Sequence, residues 1–234
     1  MNAPLTVREP ILPQPLLEPA PLRRLSIWTH SLLKDHAFLR CVFNTRHRVA
    51  DGLYRSSHPL PYQLREAAAC GIRSVINLRG LEPHIGSNVL EWRTCRDLDL
   101  KIVHFPMRSR DAPRVEEVIG LNRLYETLEK PILIHCKSGA DRAGLASAIY
   151  LLMQQGASLE QAMRQLSFWR FGHVRQAKTG VLDHFFETYR AARDQSGIGF
   201  EDWLRTAYDR TAVVRSFREN WVAGRFVDWI LRRE

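Results

Sequence analysis

The chain has 234 residues, 45% of them hydrophobic, which supports one full core with room for an appendage. Its net charge is +9, carried by 29 Arg against 5 Lys, which favours an anionic partner; GC-rich coding gives the same excess, so charge alone decides nothing. Cysteines at 41, 70, 95 and 136 lack C-x-x-C spacing and are too few for a disulfide scaffold, which excludes a zinc site and a knotted secreted domain.

Residues 1–21 hold six of the twelve prolines and read as a flexible proline-rich arm, with a PxxP ligand as the alternative. Leu22 to Leu39 has helical periodicity, with Leu25, Trp28, Leu32, Leu33 and Phe38 on one face. Asp51-Gly52 between apolar residues predicts a hairpin turn. Pro61 to Cys70 predicts a helix, opened by proline and followed by Gly71. Ile72–Leu78 and Leu100–Phe105 read as strands, and 113–128 as a helix. Pro131-Ile132-Leu133-Ile134 is a short, wholly apolar run that suits a central buried strand.

This order predicts an α/β fold: a central, mostly parallel sheet flanked by helices, with extra N- and C-terminal helices. After Arg142 the pattern is helical, with helices expected at 142–155, 158–168, 178–193, 200–218 and 222–232. Gly197-Ile198-Gly199 is the best internal joint. The division expected is an arm at 1–21, a domain at 22–196 and a C-terminal helical extension at 197–234 packed on it. No basic region followed by an apolar core opens the chain, and the longest apolar stretch, Gly144 to Met153, is far short of the ~20 residues of a membrane helix. Reduced thiols in a cytoplasmic setting fit best.

The chemistry concentrates in His135-Cys136-Lys137-Ser138-Gly139-Ala140-Asp141-Arg142. Cysteine six residues before arginine means little alone in a chain with 29 arginines. Here the cysteine follows a buried strand, a glycine sits mid-loop, and a helix-forming run starts at the arginine. Backbone N–H groups of such a loop, with the first turn of the helix, form a nest for a phosphate dianion. Lys137, Ser138, Gly139, Ala140, Asp141 and Arg142 are its expected lining. Gly139 lets the backbone curl, and Arg142 clamps two phosphate oxygens. The same positive field favours a thiolate at Cys136, a nucleophile aimed at phosphorus.

HCKSGADRAG resembles the HCxxGxxR signature of the protein tyrosine and dual-specificity phosphatases, over roughly residues 45–190. The stretches Gly52–Ser57 and Ser74–Arg79 are similar to the opening strands of compact bacterial or atypical dual-specificity enzymes. The resemblance implies a metal-independent, two-step mechanism needing no cofactor. Cys136 takes the phosphoryl group, Arg142 stabilises the transition state, and an aspartic acid protonates the leaving oxygen and then activates water. His135 would act through hydrogen bonds to the loop rather than as a base.

Two aspartates compete for the acid. Asp111 follows a strand, 25 residues before Cys136, in a loop stiffened by Pro106 and Pro113; its other role would be to cap the next helix. Asp141 lies inside the loop, where myotubularin-like lipid phosphatases also carry an acidic residue. A carboxylate there is repelled by bound phosphate unless protonated or turned away, for example to an arginine.

Two features depart from the family pattern. Ala143 stands where a Ser or Thr usually supplies a hydroxyl to the cysteine, which predicts a slow second step. Lys137 matches the first loop lysine of 3-phosphoinositide phosphatases, but Ala140 replaces the second; Arg108 and Arg110 are the remaining cations for a second phosphate. The substrates implied are phosphorylated proteins or small phosphorylated alcohols. A phosphoinositide or inositol phosphate phosphatase, a phosphate-binding pseudophosphatase and a rhodanese-type sulfur transferase are alternatives. Trp203, Trp221 and Trp229 among C-terminal arginines suggest docking on the domain, or else contact with an anionic membrane. No nucleic-acid motif accompanies the charge.

Overall fold

The computed structural model describes residues 21–31, 46–175 and 178–219. The arm, Cys41, the predicted helix at 222–232, and Leu32, Leu33, Phe38, Trp221 and Trp229 lie outside them. In chain order the elements are α1 (Pro21–Thr29), β1 (His47–Ala50), β2 (Leu53–Ser56), α2 (Pro61–Ala69), β3 (Ser74–Asn77), α3 (Gly86–Asp97) and β4 (Lys101–His104). Then come α4 (Val115–Thr127), β5 (Ile132–His135), α5 (Asp141–Gln154), α6 (Leu159–Met163), α7 (Phe168–Phe171), α8 (Val181–Ser196), α9 (Phe200–Thr206) and α10 over 210–219.

The sheet order is β1-β2-β5-β3-β4. β1 is antiparallel and joins β2 through Asp51-Gly52, with Gly52 at φ +77°; the other pairings are parallel. All four residues of β5 are buried, so its alternation serves both faces. Ile132 and Ile134 join the larger core with Leu53, Ile76, α4, α5 and α8. Leu133 faces the smaller core of Leu64, Ala67, Val75 and Leu100. This places the end of β5 at the middle of the sheet's C-terminal edge, where parallel α/β sheets bind ligands.

Four sequence expectations need correction. Residues 86–97, left unassigned, form α3; its buried face carries Ser87, Asn88, Glu91 and Thr94, which hides the apolar period. Over residues 25–31 the buried side chains are Ile27 and Ser31, whereas Leu25 and Trp28 are exposed. Gly86 lets α1 approach, since a Cβ there would lie 2.3 Å from the Ile27 carbonyl oxygen. The helix expected at 158–168 stops at Met163, and α7 begins after Ser167, whose Oγ accepts the Arg170 N–H. The helix expected at 200–218 breaks at 207–209, where Asp209 Oδ1 caps α10 by accepting the N–H groups of Thr211 and Ala212. Trp203 is 2% exposed in the larger core, beside Phe185 and Tyr189. Among the described residues, no helix is long and apolar enough to cross a membrane, and no three His, Cys, Asp or Glu groups are placed to hold a metal ion.

Candidate active site

The loop from Cys136 to Ala140 connects β5 to α5. Cys136 is 2% exposed, and its Sγ lies 3.3 Å from the Gly139 N–H, which donates to it. Gly139 has φ +79°, and a Cβ would sit 2.7 Å from the Ser57 backbone nitrogen. Only glycine supplies both the left-handed conformation and that close approach. The His58 N–H donates to the Lys137 carbonyl at 3.3 Å, so the residues after β2 wall one side of the loop.

Arg55 braces the loop from β2. Its Nη2 donates to the carbonyls of Gly139 (2.6 Å) and Ala140 (3.0 Å), and its Nη1 to the Gln165 carbonyl at 2.8 Å. The guanidinium lies 3.8 Å from the Phe171 ring centroid. Burial lowers its pKa to about 10, against the opposing pull of Cys136. By holding the Gly139 and Ala140 carbonyl oxygens, Arg55 fixes the far end of the loop, whose Gly139 N–H donates to Cys136 Sγ. Sequence reading missed it as a site residue; period-two alternation puts Arg55 on the same strand face as Leu53, and a buried arginine there requires acceptors.

Behind Cys136, a wholly buried carboxylate, Glu91 of α3, pairs with His135 Nε2. Asn77 Nδ2 donates to Glu91 Oε2 at 2.7 Å, and His58 Nε2 lies 3.6 Å from the same oxygen. Burial pushes this carboxyl up, but His135, His58 and His104 together outweigh it, His135 most of the three, and hold the pKa at about 2. His135 Nδ1 lies 3.4 Å from the Cys136 carbonyl oxygen. With both ring nitrogens so placed, His135 supports the loop's backbone.

Arg142 is in the first turn of α5, half-buried, and its Nη1 donates to the Leu78 carbonyl at 3.3 Å. That carbonyl also accepts the Met107 N–H at 3.1 Å, which joins the loop after β4 to the Arg142 side. Asp141 is turned away from the loop. Its partner is His173, at 2.7 Å from Oδ1, and not an arginine as sequence reading suggested. His173 Nε2 lies 2.7 Å from Asp183 Oδ2 of α8. Asp111 is partly exposed and pairs with Arg108 (3.2 Å) and Arg210. Arg108, which the sequence allows as a cation for a second phosphate or as a solvated loop residue, is exposed and has Asp111 as a carboxylate partner. Ala143 is fully buried, and Lys137 and Ser138 are exposed.

A mostly parallel α/β sheet thus delivers Cys136 into a tight loop ahead of a helix. The family model described as PTP-SAK, Swiss Army Knife protein, DSP-PTPase phosphatase domain matches residues 53–196, and the chain belongs to that family. It is 26% identical over 130 residues to the dual specificity protein phosphatase TpbA of Pseudomonas aeruginosa, covering 54% of this chain and 55% of that protein. It is 25% identical over 182 residues to the inositol diphosphatase DSP3 of Arabidopsis thaliana, covering 70% of this chain and 84% of that protein. The chain thus spans about half the length of the TpbA sequences it matches. The crystal structure of P. aeruginosa TpbA shares the fold, with a TM-score of 0.50 at 19% identity over 65% of this chain and 91% of that one.

Proposed function

We propose that this protein is a metal-independent cysteine phosphatase that hydrolyses phosphomonoesters through a phosphocysteine intermediate. The observation that carries it is the loop itself: a buried Cys136 Sγ receiving the Gly139 N–H at 3.3 Å, at the N-terminus of α5, with Arg142 in that helix's first turn. In the first step Cys136 Sγ attacks phosphorus, the bond to the leaving oxygen breaks, and Asp111 gives that oxygen its proton. Arg142 and the loop N–H groups carry the charge on the phosphoryl oxygens. In the second step Asp111 takes a proton from water, water attacks phosphorus, and the P–S bond breaks to return the thiolate. Asp141, committed to His173, serves the loop's shape.

The substrate class is phosphotyrosine, phosphoserine or phosphothreonine in proteins, or a small phosphorylated alcohol, met in a reducing cytoplasmic setting. A second reading, an inositol phosphate substrate, is favoured by the likeness to an inositol diphosphatase over most of that relative's length and by Lys137. The proposed division puts the catalytic domain at 22–196 and the extension at 197–234; the described part of the extension, 197–219, packs on the domain through buried Phe200, Trp203 and Leu204. The test is phosphate release from p-nitrophenyl phosphate in the presence of EDTA, wild type against Cys136→Ser. Release by wild type alone is expected; no release by wild type overturns the proposal and leaves a phosphate-binding module.

A further inference from the structure

Residues 197–219 lie beyond the span matched by the family, yet they hold the loop that carries Asp111. Arg210 Nε donates to the Ala112 carbonyl at 3.0 Å, while its Nη2 pairs with the Asp111 carboxylate. Tyr208 Oη donates to the Pro113 carbonyl at 2.7 Å. Three consecutive loop residues are therefore held by two side chains of one short segment. That segment is itself fixed. The Tyr208 ring packs against Trp203 and Phe185, with centroids 5.0 and 5.2 Å apart, and Asp209 caps α10 immediately beside Arg210. The near end of the loop is fixed by the bonds from Phe105 and Met107 to the end of β3.

From this geometry we infer that Arg210 is a positioning residue for proton transfer, so that the C-terminal segment completes the catalytic apparatus. The inference rests on the reading of Asp111 as the acid. A guanidinium fork holds the carboxylate and the adjacent backbone at once, which an ammonium does not match. The acid's reach to the leaving oxygen is then set by a segment outside the phosphatase domain. Loss of Arg210 lets the loop drift, and misplacement by about 1 Å costs up to about 10²-fold in rate.

The experiment compares two substrates. Phenyl phosphate has a poor leaving group that needs the acid's proton; p-nitrophenyl phosphate releases a stable anion that needs it little. Arg210→Ala in the full chain is expected to lower kcat/KM, which reports the steps up to phosphocysteine formation, about tenfold on phenyl phosphate and less than threefold on p-nitrophenyl phosphate. Arg210→Lys should fall between wild type and Arg210→Ala, and thermal melting identifies any variant that fails to fold. In an Asp111→Asn background, Arg210→Ala should add no further loss on phenyl phosphate. Equal losses of kcat/KM on both substrates, a loss that adds to that of Asp111→Asn, or an unchanged or raised kcat/KM overturns the inference. If Asp111→Asn itself loses nothing on phenyl phosphate while Cys136→Ser is dead, the acid assignment falls and the inference with it. If Asp111→Asn discriminates and Arg210→Ala does not, only the inference falls.

Discussion

His173 Nδ1 lies 2.7 Å from Asp141 Oδ1, one residue before the loop arginine, and its Nε2 lies 2.7 Å from Asp183 Oδ2. Ionised carboxylates only accept hydrogen bonds, so satisfying both requires protons on both ring nitrogens, which makes His173 an imidazolium. Burial pushes its pKa down, but the bonds to Asp141 and Asp183 outweigh it and raise it to about 9. The pair of carboxylates thus joins the first turn of α5 to α8 through one buried cation.

The first prediction concerns stability against pH. A histidine whose folded pKa is raised adds stability that is complete below its unfolded value of about 6.5. That stability fades as pH rises through about 9. The span corresponds to something on the order of 3 kcal/mol. Urea unfolding of wild type and His173→Gln should therefore differ most near pH 6 and converge towards pH 10. A difference that stays constant across that range would show that His173 acts by packing alone.

Glu91 has the opposite sign. Its folded pKa, about 2, lies below the ordinary carboxyl value, so its contribution is present above about 4.5 and is lost as pH falls through 2. Removing one partner of a buried pair costs about 3–5 kcal/mol, because the other charge is left uncompensated. Glu91→Ala should lose that much stability at pH 7 by urea unfolding. It should also weaken inorganic phosphate binding, since the His135 backbone leads directly into Cys136. Full stability in Glu91→Ala would contradict the pairing with His135.

The contrast between Glu91 and Cys136 shows what a sequence carries. Cys136 was legible because every neighbour agreed: an apolar strand before it, Gly139 within the loop, Arg142 and a helix after it. The central position of β5 followed from the same apolar run. Glu91 was not legible, because α3 interleaves buried Ser87, Asn88, Glu91 and Thr94 with buried Val89, Leu90 and Cys95, which breaks up the apolar period. Polar burial is decided by partners distant in sequence: Asn77 and His135 lie 14 and 44 residues away from Glu91. Arg210 was likewise counted among charged C-terminal residues, and only the break at 207–209 turns it towards Asp111. Asp141 reads from the sequence as a rival acid or as a group turned aside to an arginine; its partner is His173, in a stretch with no periodic signal.

The competition between Asp111 and Asp141 can be decided kinetically. General acid catalysis contributes about 10²–10⁴-fold, so Asp111→Asn should lower kcat on phenyl phosphate by at least about 10² and flatten one limb of the pH–rate profile. Asp141→Asn leaves His173 a neutral acceptor but removes the carboxylate charge that pairs with it, and should mainly lower thermal stability. Steady-state rates across pH 5–8 for both variants test this. The reverse pattern, with Asp141→Asn losing the limb and Asp111→Asn keeping it, would transfer the acid role to Asp141.

Ala143 sets the last expectation, which concerns the second chemical step. Its methyl group is fully buried beside Cys136 in the larger core, and no hydroxyl stands at that position. The nearby Ser147 does not compensate, because its Oγ donates to the Ala143 carbonyl at 2.7 Å. A hydrogen bond to a charged group is worth about 1.5–3 kcal/mol, or one to two decades in rate. Without it the thiolate is a poorer leaving group, and the phosphocysteine should accumulate. Stopped-flow assays with p-nitrophenyl phosphate should show a burst of one p-nitrophenolate per active site, followed by slow turnover. Ala143→Ser adds one oxygen at the position and should raise turnover about tenfold while shrinking the burst. A wild-type time course with no burst would place the slow step before the phosphocysteine forms, and would remove Ala143 as its cause.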